Sequence, residues 1–99
     1  ARFILVLGGS GFGVGNYAPE VVRSIVEVEI PGIAEQIRAH GLTNTPLSGL
    51  SREVVGVTAR GSSGALIISS PGSRGGALDT LEVVTPLLTA IFHQLDEQR

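Results

Sequence analysis

Two short stretches of glycine and hydroxyl residues give this chain a way to hold an anion. Gly8-Gly9-Ser10-Gly11 follows the apolar run Phe3-Ile4-Leu5-Val6-Leu7, and Ser69-Ser70-Pro71-Gly72-Ser73 follows Ala65-Leu66-Ile67-Ile68. Glycines let the main chain approach a ligand closely, and their N–H groups can face negative charge with no side chain in the way. Each apolar run, ended by glycines, reads as a buried strand emptying into a loop. Two such exits in a chain of 99 residues predict one shared ligand site at one edge of a sheet.

The side chains near these loops carry two readings each. Ser73 stands where a helix begins after Pro71-Gly72. It can cap that helix, contact an anion beside the helix N-terminus, or do both. Ser10 has less reason to cap, because the next helix starts several residues later. Glu20 is the only carboxylate near the first loop. A place in the first helical turn and a metal or hydroxyl contact are both open to it. Arg52, after Ser51, suits either a ligand phosphate or carboxylate or an ordinary surface ion pair. His40 and His93 have no partner motif and read as structural or exposed. Glu27, Glu29, Glu82, Asp96 and Glu97 read as solvated helix faces.

The elements that must position these residues follow from periodicity. Residues 3–7 predict a strand buried on both faces. Pro19 in a first turn, with Val21, Val22, Ile25 and Val26 as an apolar stripe, predicts a helix whose cap position is Ala18. Ala18 has no side-chain oxygen, and a Ser or Thr there would typically be worth ~1 kcal/mol. A second helix is expected from Pro31 to about His40, with Ile33, Ala34 and Ile37 inward and Gly41 as its stop. Thr45-Pro46 opens a short helical turn towards Leu50. Ser51 to Thr58 reads as a strand, and residues 65–70 return as its antiparallel partner after a glycine-serine turn. From Gly75 onward, Leu78, Leu81, Val84, Leu88, Ile91, Phe92 and Leu95 mark a long amphipathic helix that Pro86 kinks or divides.

Composition narrows the function classes. The hydrophobic share of 42% and the low charge predict one small folded domain over residues 1–99. A net charge of −2 leaves no electrostatic footprint for nucleic acid or an anionic membrane. All seven basic residues are Arg, which excludes a Walker A lysine and a Schiff-base lysine. The absence of cysteine removes disulfides, thiolate metal sites and thiol nucleophiles, and fits a cytoplasmic location. No segment is expected to reach the length of a membrane span. The chain opens on Ala1, almost inside the first strand, which predicts that an N-terminal portion is missing. A Rossmann fingerprint fails, because Val14 and Asn16 fall where its third glycine should be.

In this order the motifs resemble those of the MoaB/Mog family of molybdenum cofactor biosynthesis. Gly8-Gly9-Ser10-Gly11 and Pro19-Glu20 stand at the spacing of its GGTG…D.TPE motif. Ile30-Pro31-Gly32-Ile33-Ala34-Glu35, then Pro46…Leu50-Ser51-Arg52 with Gly56, and finally Leu66 to Ser73 continue the likeness. The resemblance implies a three-layer α/β fold with a mostly parallel sheet and one antiparallel hairpin, assembled as a homotrimer. It implies molybdopterin as substrate or ligand, held by Gly8, Gly9, Ser10, Gly11, Ser51, Arg52, Pro71, Gly72 and Ser73. Relatives of the Mog type adenylylate the terminal phosphate of the pterin with Mg-ATP, which would give Asn16 and Glu20 the catalytic positions.

Departures fall where that chemistry belongs. Asn16 takes the place of the motif Asp and Ala18 that of the Thr, while Ser69-Ser70 replaces Asn-Leu before the second loop. An amide cannot supply the charge that holds Mg²⁺, and no residue of the chain is assigned to a metal. The family's first half is absent. Two functions stay open: an impaired molybdopterin adenylyltransferase, and a non-catalytic molybdopterin-binding or assembly module that has lost the acid. A third reading is a structural fragment whose loops bind nothing.

Overall fold

A computed structural model describes residues 2–97. The elements run β1 (Phe3–Leu7), α1 (Ala18–Ile25), β2 (Val28–Glu29), α2 (Pro31–Gly41), a 3₁₀ turn (Pro46–Leu50), β3 (Val55–Val57), β4 (Leu66–Ser70), α3 (Arg74–Val84), a second 3₁₀ turn (Thr85–Leu87) and α4 (Leu88–Asp96). The four strands lie in the order β1-β4-β3-β2. β1 runs parallel to β4, with Phe3 opposite Leu66 and Leu7 opposite Ser70. β3 is antiparallel to both β4 and β2.

The sheet is therefore mixed rather than mostly parallel. The 3–4 pair is the hairpin expected from the glycine-serine turn, and β2 adds a second antiparallel pairing. With only two residues, β2 is too short for a period to register in the sequence. It also moves Glu29 from the expected helix face into a strand, where its carboxylate accepts a bond from Arg23 Nε at 3.2 Å. Glu27 lies just ahead of β2 and accepts from the Arg60 N–H at 3.3 Å.

Side-chain alternation along β4 builds three layers. Leu66 and Ile68 point to one face, joining Ile33, Ala34 and Ile37 of α2, Val84 of α3 and Leu95 of α4. Ile67 points to the other face, against Val22 of α1 and Val54. All five residues of β4 are buried. β1, expected to be buried on both faces, is not: among the described strands it pairs only with β4, and Leu7 is 60% exposed. An apolar sequence records what a strand would tolerate, and its place in the sheet decides how much of it is covered.

The C-terminal helical run divides at Pro86, as its imino nitrogen requires. Against the expectation that no segment reaches span length, Arg74–Asp96 is long and apolar enough to cross a membrane by length and composition alone, with mean hydropathy 1.3. Here it lies along the sheet, with Val84 and Leu95 buried and Leu87, Leu88, Ile91 and Phe92 packed on the same core.

Candidate functional site

The first loop leaves β1 through two left-handed glycines, Gly8 at φ 90° and Gly9 at φ 68°. These angles strain any L-residue, so the turn needs glycine. The Gly8 N–H donates to the Ser70 carbonyl at 2.9 Å, which ties the loop to the end of β4. The Gly9 carbonyl accepts the Ala18 N–H at 3.2 Å. The N-cap of α1 is Tyr17, one residue before the expected Ala18, and it makes no side-chain cap bond. Backbone from the loop takes over part of that duty.

The second loop is held differently. Ser73 caps α3, its hydroxyl accepting the Gly76 N–H at 3.1 Å. Behind it, Ser69 and Ser70 are fully buried. Ser69 Oγ accepts the Val54 N–H at 2.8 Å, taking a position that a ladder carbonyl would fill. That substitution explains why β3 begins at Val55 and not at Ser51 as expected. The two loops touch: a Cβ on Gly72 would stand 3.1 Å from Gly8 Cα.

A cavity of about 430 Å³ opens between them. Ser10, Gly11, Ser51, Pro71 and Ser73 all border it, so five of the expected binding residues meet at one place. The Ser51 hydroxyl is buried and has no hydrogen-bond partner among the described residues. Buried hydroxyls are rarely left so, and one on a cavity wall fits an incoming polar ligand. No Arg or His borders the cavity, so attraction for an anion must come from N–H groups and hydroxyls.

Arg52 and Glu20 stand outside this cavity, as partners of each other. Arg52 Nη1 donates to Glu20 Oε2 at 2.5 Å, Nε donates to the Gly11 carbonyl at 2.9 Å, and Nη2 to the Asn16 carbonyl at 2.9 Å. The guanidinium is thus occupied in clamping the first loop. The bond from Arg52 holds the Glu20 carboxyl below the usual carboxylate range. Asn16 also faces its own loop, its Oδ1 accepting the Gly13 N–H at 3.1 Å.

Three residues near the cavity carried no signal in the sequence. Glu53 is 6% exposed and Asp79 8%, and both border the cavity. Burial pushes the Glu53 carboxyl up to about 7, a rise that Asp79 reinforces and that a Thr80 bond and the Arg38 charge oppose. Asn44 Nδ2 donates to Asp79 Oδ1 at 3.0 Å. His40, expected to lack partners, has its Nε2 2.8 Å from Glu82 Oε2 and 3.7 Å from Asp79 Oδ1. The residues of that group are 39 and 42 positions from His40, too far for spacing to reveal.

A family model described as "Probable molybdopterin binding domain" matches residues 1–90. The chain belongs to this family. The molybdopterin-binding domain here is 35% identical over 83 residues to the molybdopterin adenylyltransferase of Escherichia coli, covering 84% of this chain and 40% of that protein. It is 33% identical over 92 residues to a molybdenum cofactor biosynthesis bifunctional protein of Chlorobaculum tepidum, covering 93% of this chain and 27% of the relative. Among solved structures, the molybdopterin biosynthesis Mog protein of Mycobacterium ulcerans superposes with a TM-score of 0.87 at 35% identity, over 96% of this domain and 60% of that chain. The chain therefore spans less than two thirds of each of these relatives, and the MoaB/Mog-like α/β fold is common to the matched part.

Proposed function

We propose that this chain serves molybdenum cofactor biosynthesis by binding molybdopterin in the cavity between its two glycine loops. The observation that carries the reading is the convergence of Ser10, Ser51 and Ser73 on one cavity, with the Ser51 hydroxyl buried and unpartnered. The N-terminal turn of α3 supplies aligned N–H groups for a terminal phosphate, and the glycines of the first loop admit its oxygens to the main chain. Family membership supports the pterin as the ligand.

Adenylylation with Mg-ATP is the finer question. The donor set on the first loop does not fit a Mg²⁺ clamp. Asn16 offers an amide that already accepts the Gly13 N–H, and Glu20 is bound by Arg52. Oxygen ligands of that ion are normally charged or free to turn towards it. Binding and orientation are what the chain's own residues supply, which favours the non-catalytic module over the transferase. If the missing charge is the lesion, Asn16→Asp raises Mg-ATP-dependent adenylylation by roughly one order of magnitude or more. Unchanged activity in a variant that binds normally would locate the deficit elsewhere.

Titration of the chain with molybdopterin, followed by pterin fluorescence, tests the reading directly. Saturable binding is expected, weakened about tenfold in Ser51→Ala and Ser73→Ala. Ser73→Ala also loses a helix cap, typically ~1 kcal/mol of stability. Loss of stability with affinity intact would leave Ser73 a cap only. The reading includes a homotrimer, measured by sedimentation velocity on the same sample.

A further inference from the structure

Glu53 takes no part in the binding reading so far, yet it is joined to the second loop by a chain of buried oxygens. Its Oε2 lies 3.0 Å from Thr80 Oγ1. Thr80 Oγ1 in turn lies 3.0 Å from the Gly76 carbonyl and 3.3 Å from Ser70 Oγ. Ser70 Oγ lies 3.2 Å from the Pro71 carbonyl. The chain thus ends at both sides of the loop: on Pro71, and on Gly76, whose N–H is the one capped by Ser73.

Proton counting separates the two states of Glu53. A hydroxyl has one proton to donate, and an ionised carboxylate has none. With Glu53 ionised, the protons of Thr80 and Ser70 must serve four contacts, and Thr80 must choose between Glu53 and Gly76. With Glu53 protonated, it donates to Thr80, Thr80 donates to Gly76, and only Ser70 divides its proton. The surroundings favour the same state. Arg38 faces Glu53 from α2 but spends Nη1 on the Glu53 carbonyl at 3.4 Å, while Asp79 faces it from α3 as a like charge. Arg52, its neighbour in sequence, is turned to Glu20. Ionisation would also place a negative charge on the wall of a cavity that no Arg or His borders.

We propose that Glu53 is a positioning residue: as a neutral acid it fixes the second glycine loop through Thr80, and losing its proton weakens the binding of an anionic ligand there. The proposal rests on the reading that the cavity takes molybdopterin, and deepens it by making affinity depend on one buried proton.

The test compares the chain with Glu53→Gln, whose amide can still donate to Thr80, by molybdopterin fluorescence titration at about pH 6 and about pH 8. The chain should bind about tenfold more weakly at the higher pH, and Glu53→Gln should keep its affinity at both. Titration of the ligand phosphate moves both proteins alike and cancels in the comparison. Glu53→Leu, neutral but unable to donate, should bind weakly at both values. Parallel pH profiles for the chain and Glu53→Gln would overturn the proposal while leaving the pterin reading intact. Absence of binding by the folded chain at either pH would instead sink the pterin reading. Carboxyl ¹³C titration without ligand then judges Glu53 by itself. A midpoint near 7, with amide shifts of Ser70 to Gly76 moving in step, upholds the positioning role. An ordinary carboxylate midpoint overturns it.

Discussion

The two glycine loops border the same cavity but are built on opposite principles. The first is a backbone solution. Left-handed Gly8 and Gly9 set its path, and Arg52 reaches from 41 residues away to bind the Gly11 carbonyl near the surface. The second is a side-chain solution. Ser69, Ser70, Thr80 and Glu53 bond to one another and to the main chain in the interior, and Ser73 closes the helix. Exposed ion pairs contribute little because water competes for both partners, whereas a buried polar chain is costly to break because nothing replaces it. The first loop should therefore tolerate loss of its clamp, and the second should respond sharply to any change in its hydrogens.

The largest effect expected is the pH response of the second loop. Glu53 has its folded value raised from 4.5 to about 7, so between those values the folded state holds a proton the unfolded chain has released. Stability falls across that window, by on the order of 3 kcal/mol, and then levels off. Urea denaturation from about pH 4 to about pH 8 should show this slope, and Glu53→Gln should flatten it. A slope unchanged in the variant would assign the pH dependence to other groups. Next in size is Gly72→Ala, whose methyl would press on Gly8 and drive the loops apart. A loss of about 2 kcal/mol is expected, with pterin affinity falling alongside.

Gly8→Ala comes third. Its new Cβ meets no neighbour, so the cost is the left-handed backbone alone, about 1–2 kcal/mol by thermal denaturation. A larger loss would mean that the first loop is packed and not merely bent. The smallest effect belongs to Glu20→Gln. Its carboxyl is held low by Arg52, so the pair's contribution is present at neutral pH and fades as the pH falls through that lowered value. At neutral pH the denaturation midpoint should barely move and pterin affinity should change by no more than about twofold. A tenfold loss of affinity would erase the contrast between the loops.

Much of this molecule is legible in order along the chain. Ile33, Ala34 and Ile37 were expected inward on the second helix and are buried. Thr45-Pro46 opens its short turn, with the Thr45 hydroxyl accepting the Leu47 N–H at 3.2 Å. The 3–4 hairpin and the division at Pro86 follow from a glycine-serine turn and a missing N–H. What the sequence hid are the contacts between distant residues. Glu53 with Thr80, Arg52 with Glu20, and His40 with Glu82 are pairs 27, 32 and 42 positions apart. Local period carries no information about them, and a Glu that sits alone between Arg52 and Val54 looks like any surface acid.

By itself, then, the sequence determined the elements, the two glycine loops and the family, because these depend on neighbours within a few residues: side-chain period, backbone freedom, and motifs in fixed order. Only the tertiary structure decided that β1 lies at an edge of the described sheet, that Arg52 serves the first loop, and that Glu53 is buried beside the second. Those outcomes turn on which surfaces meet and what water is excluded, and the free energy of a charge or an exposed apolar face is set by that environment and not by its residue type.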